Sequence, residues 1–516
     1  MFEKHGLSQA AASALRPRSR RSVPLSELFG TNPGVYVRGI TADSRLAEPG
    51  DLYVALPGAA RHGAAFAQEA AAAGAAAILT DSAGRALIGQ PDVPVLVVTD
   101  PRREMADLAA RIYGCPAESL RMLAVTGTNG KTTTTFLLDA ALRAAGYRVG
   151  IVGTIGFLLD GQPLAAARNT VTTPESPELQ ALLGHLLEAG ADSVAMEVSS
   201  HALVLGRADA IRFDVAALTN IGRDHLDFHG DEESYFEAKA SLFTPARTQH
   251  AVINVDDPRG GRLVERLRAA GGPPTTTVSL SNPVADCSPA AVQPQTDGQT
   301  RVVARVNGRP VEFLLSLPGE FNLANALTCL AMLDAAGVDV QLAAQGLAVA
   351  RVPGRMQQVD LGAEGPLVYV DFAHTPQAVA AALAALPGKR RIVVLGCGGD
   401  RDPDKRGPMG AAAAAGADVV IVTDDNPRNE LPAAIRAQVM AGAQAVANNR
   451  AGELIDGGDR RAAIRQALEL ASPGDAIAVL GKGHETGQEI GGRVLPFDDA
   501  SVIAQEWTRR LLEGSR

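Results

Sequence analysis

The feature that most constrains the fold is a short apolar run, Met122–Val125, that passes into a glycine-containing loop and then into Lys131-Thr132. Glycines let backbone N–H groups turn towards phosphate oxygens, and the start of a following helix adds its positive dipole end. Lys131 would neutralise phosphate charge, and Thr132 would place its hydroxyl on Mg²⁺. The spacing is GxxGKT, because Val125 stands where the longer GxxxxGK[ST] pattern has its first glycine. The pattern therefore predicts a buried strand, a phosphate-binding loop and a helix.

Short apolar runs of this kind alternate with Ala- and Leu-rich stretches along the chain, which predicts α/β domains with mainly parallel sheets. A chain of 516 residues is too long for one hydrophobic core, so we expect about three domains. The further predicted strands are Val149–Val152, Val194–Met196, Val215–Leu218, Val368–Val370, Ile392–Leu395, Val419–Val422 and Ile477–Leu480.

Changes in composition suggest where the domains begin and end. Pro101–Cys115 resembles a helix that leads into a new strand, and Arg351–Arg355 resembles a linker. We expect residues 1–22, which include several arginines, to form a flexible tail, because chain termini are usually loose. The predicted domains are a smaller N-terminal α/β domain (23–103), a central P-loop-type ATPase domain with a parallel sheet (104–352) and a C-terminal Rossmann-like domain (353–516).

Composition excludes several classes of protein. The net charge of −9 and the pI near 5.6 argue against a general nucleic-acid binder, which would be basic. The four cysteines form no CxxC pair, which suits a reducing compartment. No apolar stretch is long enough to insert into a membrane, and Glu3–Arg21 lacks the apolar region of a signal peptide. We expect a cytoplasmic monomer that acts on small molecules.

Two further strand ends carry polar residues that suit a metal site. Glu197 ends one apolar run, and His225 follows the next within a cluster of acids. Mg²⁺ prefers a few oxygen ligands plus substrate phosphates, so Glu197 is a candidate ligand. His225 is equally compatible with a capping or surface histidine. Lys239, on a helical stretch, would by itself be a solvated lysine.

Together these segments resemble the Mur ligase superfamily, which includes folylpolyglutamate synthase, over nearly the whole chain. The matching motifs are GTNGKT, EVSSH (Glu197–His201), NIGRDHLD (Asn220–Asp227), the Lys239 segment, PGEFNLANA, RVPGRMQQV and DFAHTP. The resemblance implies catalytic roles for Lys131, Glu197, His225 and Lys239, and a Mg²⁺ site made by Thr132, Glu197, His225 and Lys239 as a CO₂-derived carbamate. It implies ATP contacts from Thr126, Gly127, Thr128, Asn129, Gly130, Lys131, Thr132, Asn322, Arg355, Asp371 and His374. Phe321 departs from the pattern, because relatives often carry His there.

The N-terminal segments Gly39–Arg45 and Pro49–Leu56 resemble the opening of the diaminopimelate- and lysine-adding members of the family. In those members the first domain holds a uridine diphosphate sugar. The residues that the resemblance assigns to this UDP-sugar-dipeptide are Ser44, His62, Thr172, Thr173, Ser199 and Arg207. Leu205 departs from the pattern, because some relatives have Gln there.

Three strands of the predicted third domain end in polar motifs, GCGGDRD, DDNPR and GKGHE. Ligands of open α/β sheets bind beyond the carboxyl ends of strands, so these motifs are expected to share one pocket. Arg401 and Arg428 can grip a carboxylate, and Glu485 can accept hydrogen bonds from an ammonium group. In the family, DNPR is associated with meso-diaminopimelate. The resemblance assigns this amino acid to Arg401, Asp425, Asn426, Pro427, Arg428, Gly481 and Glu485.

The resemblance thus implies an ATP-dependent amide-bond ligase of peptidoglycan precursor synthesis. It would add meso-diaminopimelate to UDP-N-acetylmuramoyl-L-alanyl-D-glutamate through an acyl phosphate, with ATP as co-substrate and Mg²⁺ as cofactor. Three alternatives stay open: a lysine-adding ligase, a folylpolyglutamate synthase and a non-catalytic ATP-binding scaffold. A panel of amino acids separates the first two from the predicted activity, and an assay of ADP release tests the third.

Overall fold

The computed structural model describes residues 9–514 apart from 33, 59, 165–170, 223, 296–297, 363–364, 389 and 448–449. The chain forms two compact units. The first contains the described residues up to Val292 together with Val302–Phe313 and Ala324–Val349. The second contains Gln293–Arg301, Leu314–Leu323 and the described residues from Ala350 onwards.

The N-terminal domain, in the first unit, is built on a four-stranded parallel sheet with the order β3-β4-β5-β6. Apolar side chains bury both faces of this sheet, as parallel sheets require. The elements are α1 (Gln9–Ala14), β1 (Val23–Pro24), α2 (Leu25–Phe29), β2 (Tyr36–Val37), β3 (Gly39–Thr41), β4 (Asp51–Ala55), α3 (Ala67–Ala72), β5 (Ala77–Thr80), α4 (Ser82–Leu87), β6 (Val95–Val97) and α5 (Pro101–Ile112).

The structure corrects the predicted flexible tail, residues 1–22. Residues 1–8 of that tail lie outside the described part of the chain, but the segment from Ala11 to Pro17 contributes several buried side chains. Leu15 and Arg16 are buried, and Arg16 Nη1 lies 2.8 Å from Oδ1 of Asp51, a fully buried carboxylate at the start of β4. A buried charge requires a partner, and Arg16 provides it.

The end of the N-terminal domain also differs from the predicted boundary between residues 103 and 104. Helix α5 crosses that boundary without a break. Its side chains Met105, Leu108 and Ile112 pack in the same apolar cluster as the strands β3 and β4. The N-terminal core therefore extends to Ile112.

The central domain contains an eleven-stranded sheet with the order β10-β9-β8-β11-β7-β12-β13-β14-β15-β16-β17. Its middle strands β8, β11, β7, β12, β13 and β14 are parallel, as predicted. The elements are β7 (Arg121–Thr126), α6 (Lys131–Ala144), β8 (Val149–Gly153), β9 (Gly156–Leu159), β10 (Gln162–Pro163), α7 (Ser176–Glu188), β11 (Ser193–Glu197), α8 (Ser200–Val204), β12 (Phe213–Leu218), α9 (Leu226–His229), α10 (Glu232–Ala240), β13 (Thr248–Asn254), α11 (Pro258–Ala269), β14 (Thr275–Val278), β15 (Cys287–Pro294), β16 (Thr300–Val306), β17 (Arg309–Leu315), α12 (Glu320–Ala335) and α13 (Val340–Ala344).

The third domain, in the second unit, has a six-stranded sheet with the order β18-β19-β23-β20-β21-β22, in which all strands except β18 are parallel. Apolar clusters cover both faces. The elements are β18 (Gln357–Val359), β19 (Leu367–Asp371), α14 (Pro376–Ala385), β20 (Arg391–Leu395), α15 (Arg406–Gly416), β21 (Val419–Thr423), α16 (Pro432–Gln444), β22 (Glu453–Gly458), α17 (Arg460–Leu470), β23 (Ala476–Leu480), β24 (Gly487–Ile490), β25 (Arg493–Pro496) and α18 (Asp499–Gly514). All eight apolar runs that predicted strands lie in strands.

Two further observations concern the helices and the cysteines. Among the described residues, no helix combines the length and the apolar character needed to cross a bilayer. Each of the four cysteines is an unpaired thiol, and three of them are buried.

The Arg16–Asp51 pair yields a first prediction. Replacing Arg16 by Leu should lower the free energy of unfolding by about 3 kcal/mol or more, because Asp51 would stay buried without its cation. Urea denaturation followed by circular dichroism measures this loss. Arg18 is exposed, so Arg18→Leu is the matched control, expected to change stability by less than about 0.5 kcal/mol. Equal stability of the two variants would contradict the proposed role of Arg16.

Candidate active site

The loop between β7 and α6 has the backbone that the sequence predicted. Gly127 and Gly130 have φ values of +149° and +89°. A Cβ atom at Gly127 would lie 1.9 Å from Thr219 Oγ1, and one at Gly130 would lie 2.4 Å from Asn325 Oδ1. Only glycine fits both positions, because any side chain would clash and would also strain the left-handed backbone at Gly130. Thr126 ends β7, and Thr132 is buried in the first turn of α6.

Residues after β12 hold this loop in place. Thr219 Oγ1 donates to the carbonyl of Asn129 at 2.6 Å, and Asn220 Nδ2 donates to the same oxygen at 3.0 Å. Asn129 N in turn donates to Asn220 Oδ1 at 3.0 Å. Thr128 Oγ1 lies 3.0 Å from the hydroxyl of Tyr235 on α10. The loop is therefore preformed by the protein, which lowers the conformational cost of binding a phosphate.

Two lysine side chains donate to one carbonyl of this loop. Lys131 Nζ lies 2.9 Å from Gly127 O and 2.9 Å from Thr128 O. Lys239 Nζ, on α10, lies 2.9 Å from the same Gly127 O, and Lys239 is 1% exposed. Burial and the nearby positive charge of Lys131 hold the pKa of Lys239 well below its ordinary value. The protonation equilibrium of Lys239 is therefore shifted towards the neutral amine, compared with that of an exposed lysine.

Glu197 ends β11, the strand next to β7, and its side chain is fully buried. Thr154 donates to this carboxylate twice, from its N–H to Oε1 at 2.9 Å and from its hydroxyl to Oε2 at 3.0 Å. The hydroxyl of Thr154 also lies 3.1 Å from Thr172 Oγ1. The two donors orient the carboxylate and leave each oxygen with further lone pairs for a cation.

The predicted sugar–peptide residues of the central domain form a network with the backbone of Glu197. Thr173 Oγ1 donates to the carbonyl of Glu197 at 2.9 Å and accepts from Ser199 N at 3.2 Å. Arg207 Nη1 donates to the carbonyl of Thr173 at 3.0 Å, and Arg207 Nε donates to Glu175 Oε1 at 3.0 Å. These residues therefore lie together, and their binding of the sugar–peptide stays a prediction.

His225 has a left-handed backbone, with φ +52°, at the residue before α9. Its ring centroid lies 4.8 Å from that of His201, which in turn lies 4.1 Å from Phe228 and 5.6 Å from His229. Burial, followed by the positive charge of His225 and His229, lowers the pKa of His201 to about 4. His201 and His229 were not predicted as site residues, although His201 lies within the EVSSH motif.

The residues at this site suit Mg²⁺ on the condition that Lys239 carries a carbamate. Among the described residues, no three His, Cys, Asp or Glu side chains are grouped so that they could hold a metal ion. Mg²⁺ needs no such group, since it keeps several waters and takes one or two carboxylates plus substrate phosphates. The oriented carboxylate of Glu197 and the hydroxyl of Thr132 suit it. The side chain of Lys239 suits it only as a carbamate, because an ammonium repels a cation.

Ser44 and His62 lie in the N-terminal domain. Ser44 is buried in the turn after β3. Both ring nitrogens of His62 are used within the domain: Nε2 lies 3.1 Å from Asp81 Oδ1, and Nδ1 accepts from Ala64 N at 3.0 Å. The ring is thus fixed as the tautomer with its proton on Nε2.

The other predicted ATP residues lie in the second unit. Asp371 ends β19 and accepts hydrogen bonds from two backbone N–H groups, and burial raises its pKa. The guanidinium of Arg355 lies 4.4 Å above the ring of Phe372, and His374 Nδ1 lies 2.8 Å from the carbonyl of Phe372. Asn322 Nδ2 donates to a backbone carbonyl one turn earlier at 2.7 Å. Phe372 was not predicted as a site residue, although it lies inside the DFAHTP motif.

His484 extends this aromatic group. Its ring centroid lies 5.3 Å from that of Phe372, and its Nδ1 is buried without a hydrogen-bond partner among the described residues. Burial, and then the charge of Arg355, lower the pKa of His484 to about 4. A Cβ atom at Gly354 would lie 2.0 Å from His484 N, so the linker backbone passes against this residue.

Three strands of the third domain bring their polar motifs to one edge, as predicted. Leu395 of β20 pairs with Leu480 of β23, and β21 lies on the other side of β20. The motifs touch: Asn426 Nδ2 donates to Glu485 Oε2 at 2.8 Å, and a Cβ atom at Gly481 would lie 2.5 Å from Asp425 Oδ2.

Arg428 links the motif after β21 to the loop after β20. Its φ is +53°, its Nη1 donates to the carbonyl of Gly399 at 2.7 Å, and its Nε lies 3.1 Å from Glu489 Oε2. Nη2 has no partner among the described residues. A Cβ atom at Gly399 would lie 2.0 Å from the carbonyl oxygen of Pro427. Arg401 is exposed on the same loop.

Sequence reasoning missed Glu489 and also Lys482, which is fully buried beside Asn426 and Glu485. The sequence offered a signal for Lys482, because this lysine stands within the GKGHE motif, two residues after an apolar strand. A lysine is rarely buried unless it is paired. Glu489 offered none, since its contact with Arg428 joins residues far apart in the sequence.

Comparison with known proteins agrees with these observations. Residues 36–113 match the family model for "Mur ligase family, catalytic domain", residues 125–333 that for "Mur ligase middle domain", and residues 354–483 that for "Mur ligase, glutamate ligase domain". The chain is 46% identical over 501 residues to UDP-N-acetylmuramoyl-L-alanyl-D-glutamate--2,6-diaminopimelate ligase of Streptomyces avermitilis, covering 95% of this chain and 97% of the relative. The enzyme of the same name from Corynebacterium efficiens is 44% identical over 492 residues, which cover 93% of this chain and 92% of the relative.

Solved structures extend the comparison. A structure of UDP-N-acetylmuramoyl-L-alanyl-D-glutamate--2,6-diaminopimelate ligase has a TM-score of 0.69 at 31% identity, covering 95% of this chain and all of that one. Folylpolyglutamate synthase of Mycobacterium tuberculosis has a TM-score of 0.59 at 21% identity, covering 80% of this chain and 95% of that one. The second match bears on the fold alone.

The buried ring of His484 yields a second prediction. Its pKa in the folded protein, about 4, lies below the value of 6.5 expected in the unfolded chain. The neutral ring therefore contributes stability above pH 6.5 that is lost as the pH falls towards 4, roughly 1–2 kcal/mol between pH 7 and pH 5. His484→Gln should reduce the pH dependence of the unfolding free energy by that amount. Identical pH dependence in the variant and the parent would contradict the assignment.

Proposed function

The chain belongs to the Mur ligase family, and on that premise we propose that it is an ATP-dependent ligase that joins meso-2,6-diaminopimelate to UDP-N-acetylmuramoyl-L-alanyl-D-glutamate. The observation that carries this proposal is the identity of 46% over 95% of the chain with a relative of that name. The contacts between the DNPR and GKGHE motifs support it, because one group of loops then carries both an arginine and a carboxylate, and a zwitterionic amino acid needs both charges for its recognition.

In the first step the terminal carboxylate of the dipeptide attacks the γ-phosphorus of ATP. A bond forms between a carboxylate oxygen and phosphorus, the bond to ADP breaks, and an acyl phosphate results. The N–H groups of the loop and the ammonium of Lys131 stabilise charge on the transferred phosphoryl group. Lys131 Nζ donates to two loop carbonyls, and phosphate oxygens would be stronger acceptors for this ammonium group because they are charged. Mg²⁺ held by Thr132, Glu197, His225 and the Lys239 carbamate would neutralise further phosphate charge.

In the second step an amino group of diaminopimelate attacks the acyl carbon. A carbon–nitrogen bond forms, the tetrahedral intermediate collapses, and inorganic phosphate leaves while the nitrogen loses a proton. Arg428 would bind the distal carboxylate of the amino acid and Glu485 its ammonium group. Catalysis then consists of positioning and charge stabilisation, without a covalent enzyme intermediate.

The environment of Lys239 supports the carbamate. A neutral amine, not an ammonium, adds to CO₂, and the product loses one proton to become an anion. Burial and Lys131 favour the neutral amine of Lys239. The carbamate would also give the ammonium group of Lys131 an anionic neighbour.

A third prediction concerns Lys239. Lys239→Ala should lower turnover by about 10²-fold or more, because an anion near the phosphates is lost. Acetate should restore part of the activity by occupying the vacated space. Lys405→Ala, which changes a lysine of the third domain without a proposed role, is the control and should leave turnover unchanged. Full activity of Lys239→Ala, or an unmodified Lys239 in crystals grown with nucleotide and CO₂, would argue against the carbamate.

The proposed activity is tested by ADP release in the presence of the UDP-linked dipeptide and a panel of amino acids. Release should require both the dipeptide and meso-diaminopimelate. Lysine as the preferred amino acid, or a requirement for folate and glutamate, would identify one of the two alternative ligases. ADP release that depends on none of these substrates would contradict a ligase activity.

A fourth prediction uses the same panel with Arg428→Ala. Diaminopimelate and lysine differ by one carboxylate at the far end of the side chain, so discrimination depends on that end. Loss of a hydrogen bond to a charged group should raise the KM for meso-diaminopimelate by about 10- to 100-fold, with little change in the KM for ATP. Activity with lysine should stay flat or rise slightly. Equal losses with both amino acids would mean that Arg428 only shapes its loop, and Arg401 and Glu485 would then be the specificity residues.

The location and assembly of the protein are also proposals. Its proposed substrates are a nucleotide-linked precursor and ATP, which supports a place in the cytoplasm. We also propose that the protein is a monomer. Size-exclusion chromatography with light scattering tests this.

A further inference from the structure

Lys482 is a fully buried lysine to which the proposed reaction assigns no role. It follows β23 in the GKGHE motif. Its ammonium group donates to the carbonyl of Gly487 at 2.6 Å, to Glu485 Oε2 at 3.1 Å and to Asn426 Oδ1 at 3.2 Å. These three acceptors match the three protons of an ammonium group. Two of the three acceptors are side chains of the proposed amino-acid site.

The hydrogen bonds around Lys482 fix the orientation of the Asn426 amide. Asn426 Oδ1 accepts from Lys482 and from Glu489 N, at 3.2 and 3.0 Å, while Nδ2 donates to Glu485 Oε2 at 2.8 Å. A flipped amide would place its NH₂ group against two donors and its oxygen against a carboxylate. Lys482, Asn426 and Glu485 therefore form a closed triangle of mutually consistent hydrogen bonds.

The triangle fixes one carboxylate oxygen of Glu485, and the other oxygen takes no part in it. Oε2 accepts from both Lys482 and Asn426, whereas Oε1 has no partner among the described residues. The Glu485 side chain is 37% exposed, in contrast to the fully buried Lys482. A carboxylate held in this way offers a charged acceptor in a fixed orientation without a cost of ordering on binding.

We propose that Lys482 is a positioning residue for the amino-acid substrate. It holds the carboxylate of Glu485 and the amide of Asn426 so that Glu485 Oε1 can accept a hydrogen bond from the ammonium group of the incoming amino acid. The inference rests on the proposed function, because it needs the amino acid to bind at these motifs. It gives Lys482 no contact with the substrate, so Lys482 acts only through its two neighbours.

The test is a double-mutant cycle on the full-length protein with Lys482→Met, Glu485→Gln and the double variant. Methionine keeps the length of the side chain and removes its charge, and the partly exposed Glu485 can turn to water. Lys482→Met should raise the KM for meso-diaminopimelate about tenfold or more, as expected for loss of hydrogen bonds to a charged group. The KM for ATP should change less than about twofold. In the double variant, the rise should be well below the product of the two single effects, because both changes remove one unit.

Arg460→Met is the matched control for the loss of a buried cation. Arg460 is fully buried in the same domain, where it pairs with Asp499 and donates to the carbonyl of Leu480 at 3.0 Å. Thermal unfolding should show that this variant is destabilised. The ratio of its KM for diaminopimelate to its KM for ATP should nevertheless stay that of the parent.

Three results would overturn the inference. Lys482→Met could raise both KM values equally, as a purely structural lysine would. The two single effects could multiply fully in the double variant, which would show that Lys482 and Glu485 act independently. A parent protein that releases ADP without any dependence on diaminopimelate would contradict the proposed function and this inference with it. Normal parent activity with either of the first two results would contradict the inference alone.

Discussion

The carbonyl oxygen of Gly127 is the point on which the central site depends, because the side chains of Lys131 and Lys239 both donate to it at 2.9 Å. One oxygen cannot compensate two ammonium charges, and Lys239 is almost completely buried. Burial, and then the positive charge of Lys131, lower the pKa of Lys239 and so relieve this conflict. The two lysines differ in burial, because Lys131 is only half-buried whereas Lys239 is almost completely buried.

The glycine loop also depends on residues at the ends of the neighbouring strands of the sheet. The strands β11, β7 and β12 lie side by side in register, so Glu197, the glycine loop and Thr219 all follow strand ends at one edge. The close approach of Thr219 to Gly127 is possible only without a side chain at Gly127. The third domain repeats this arrangement at the ends of β23, β20 and β21. At both edges the parallel strands bring polar loops together. The same strands are apolar and buried, so they support these loops rigidly.

Local patterns in the sequence were sufficient for eight of the strands, the glycine loop after β7 and the three-domain α/β architecture. The hairpin of β16 and β17 was missed, although Asn307-Gly308 between them is a strong turn signal and both residues have positive φ values. The packing of Arg16 on Asp51 could not be predicted, because a basic stretch near a terminus looks the same whether it is solvated or pairs with a buried acid. The contact of Glu489 with Arg428 could not be predicted from the sequence either. Pairs of this kind depend on tertiary structure, whereas strands and glycine turns are encoded locally.

The environment of Arg428 also changes how strongly the site can discriminate between amino acids. An arginine left entirely unpaired would make lysine binding very costly, as sites built around a missing partner do. Arg428 is instead partly satisfied, since Glu489 and the carbonyl of Gly399 engage Nε and Nη1. If Arg428 binds the amino acid as proposed, selection would depend on the remaining Nη2 group and on repulsion between two cations. The charge of Glu489 would lower that repulsion, and its contact with Nε would orient the arginine before the substrate arrives.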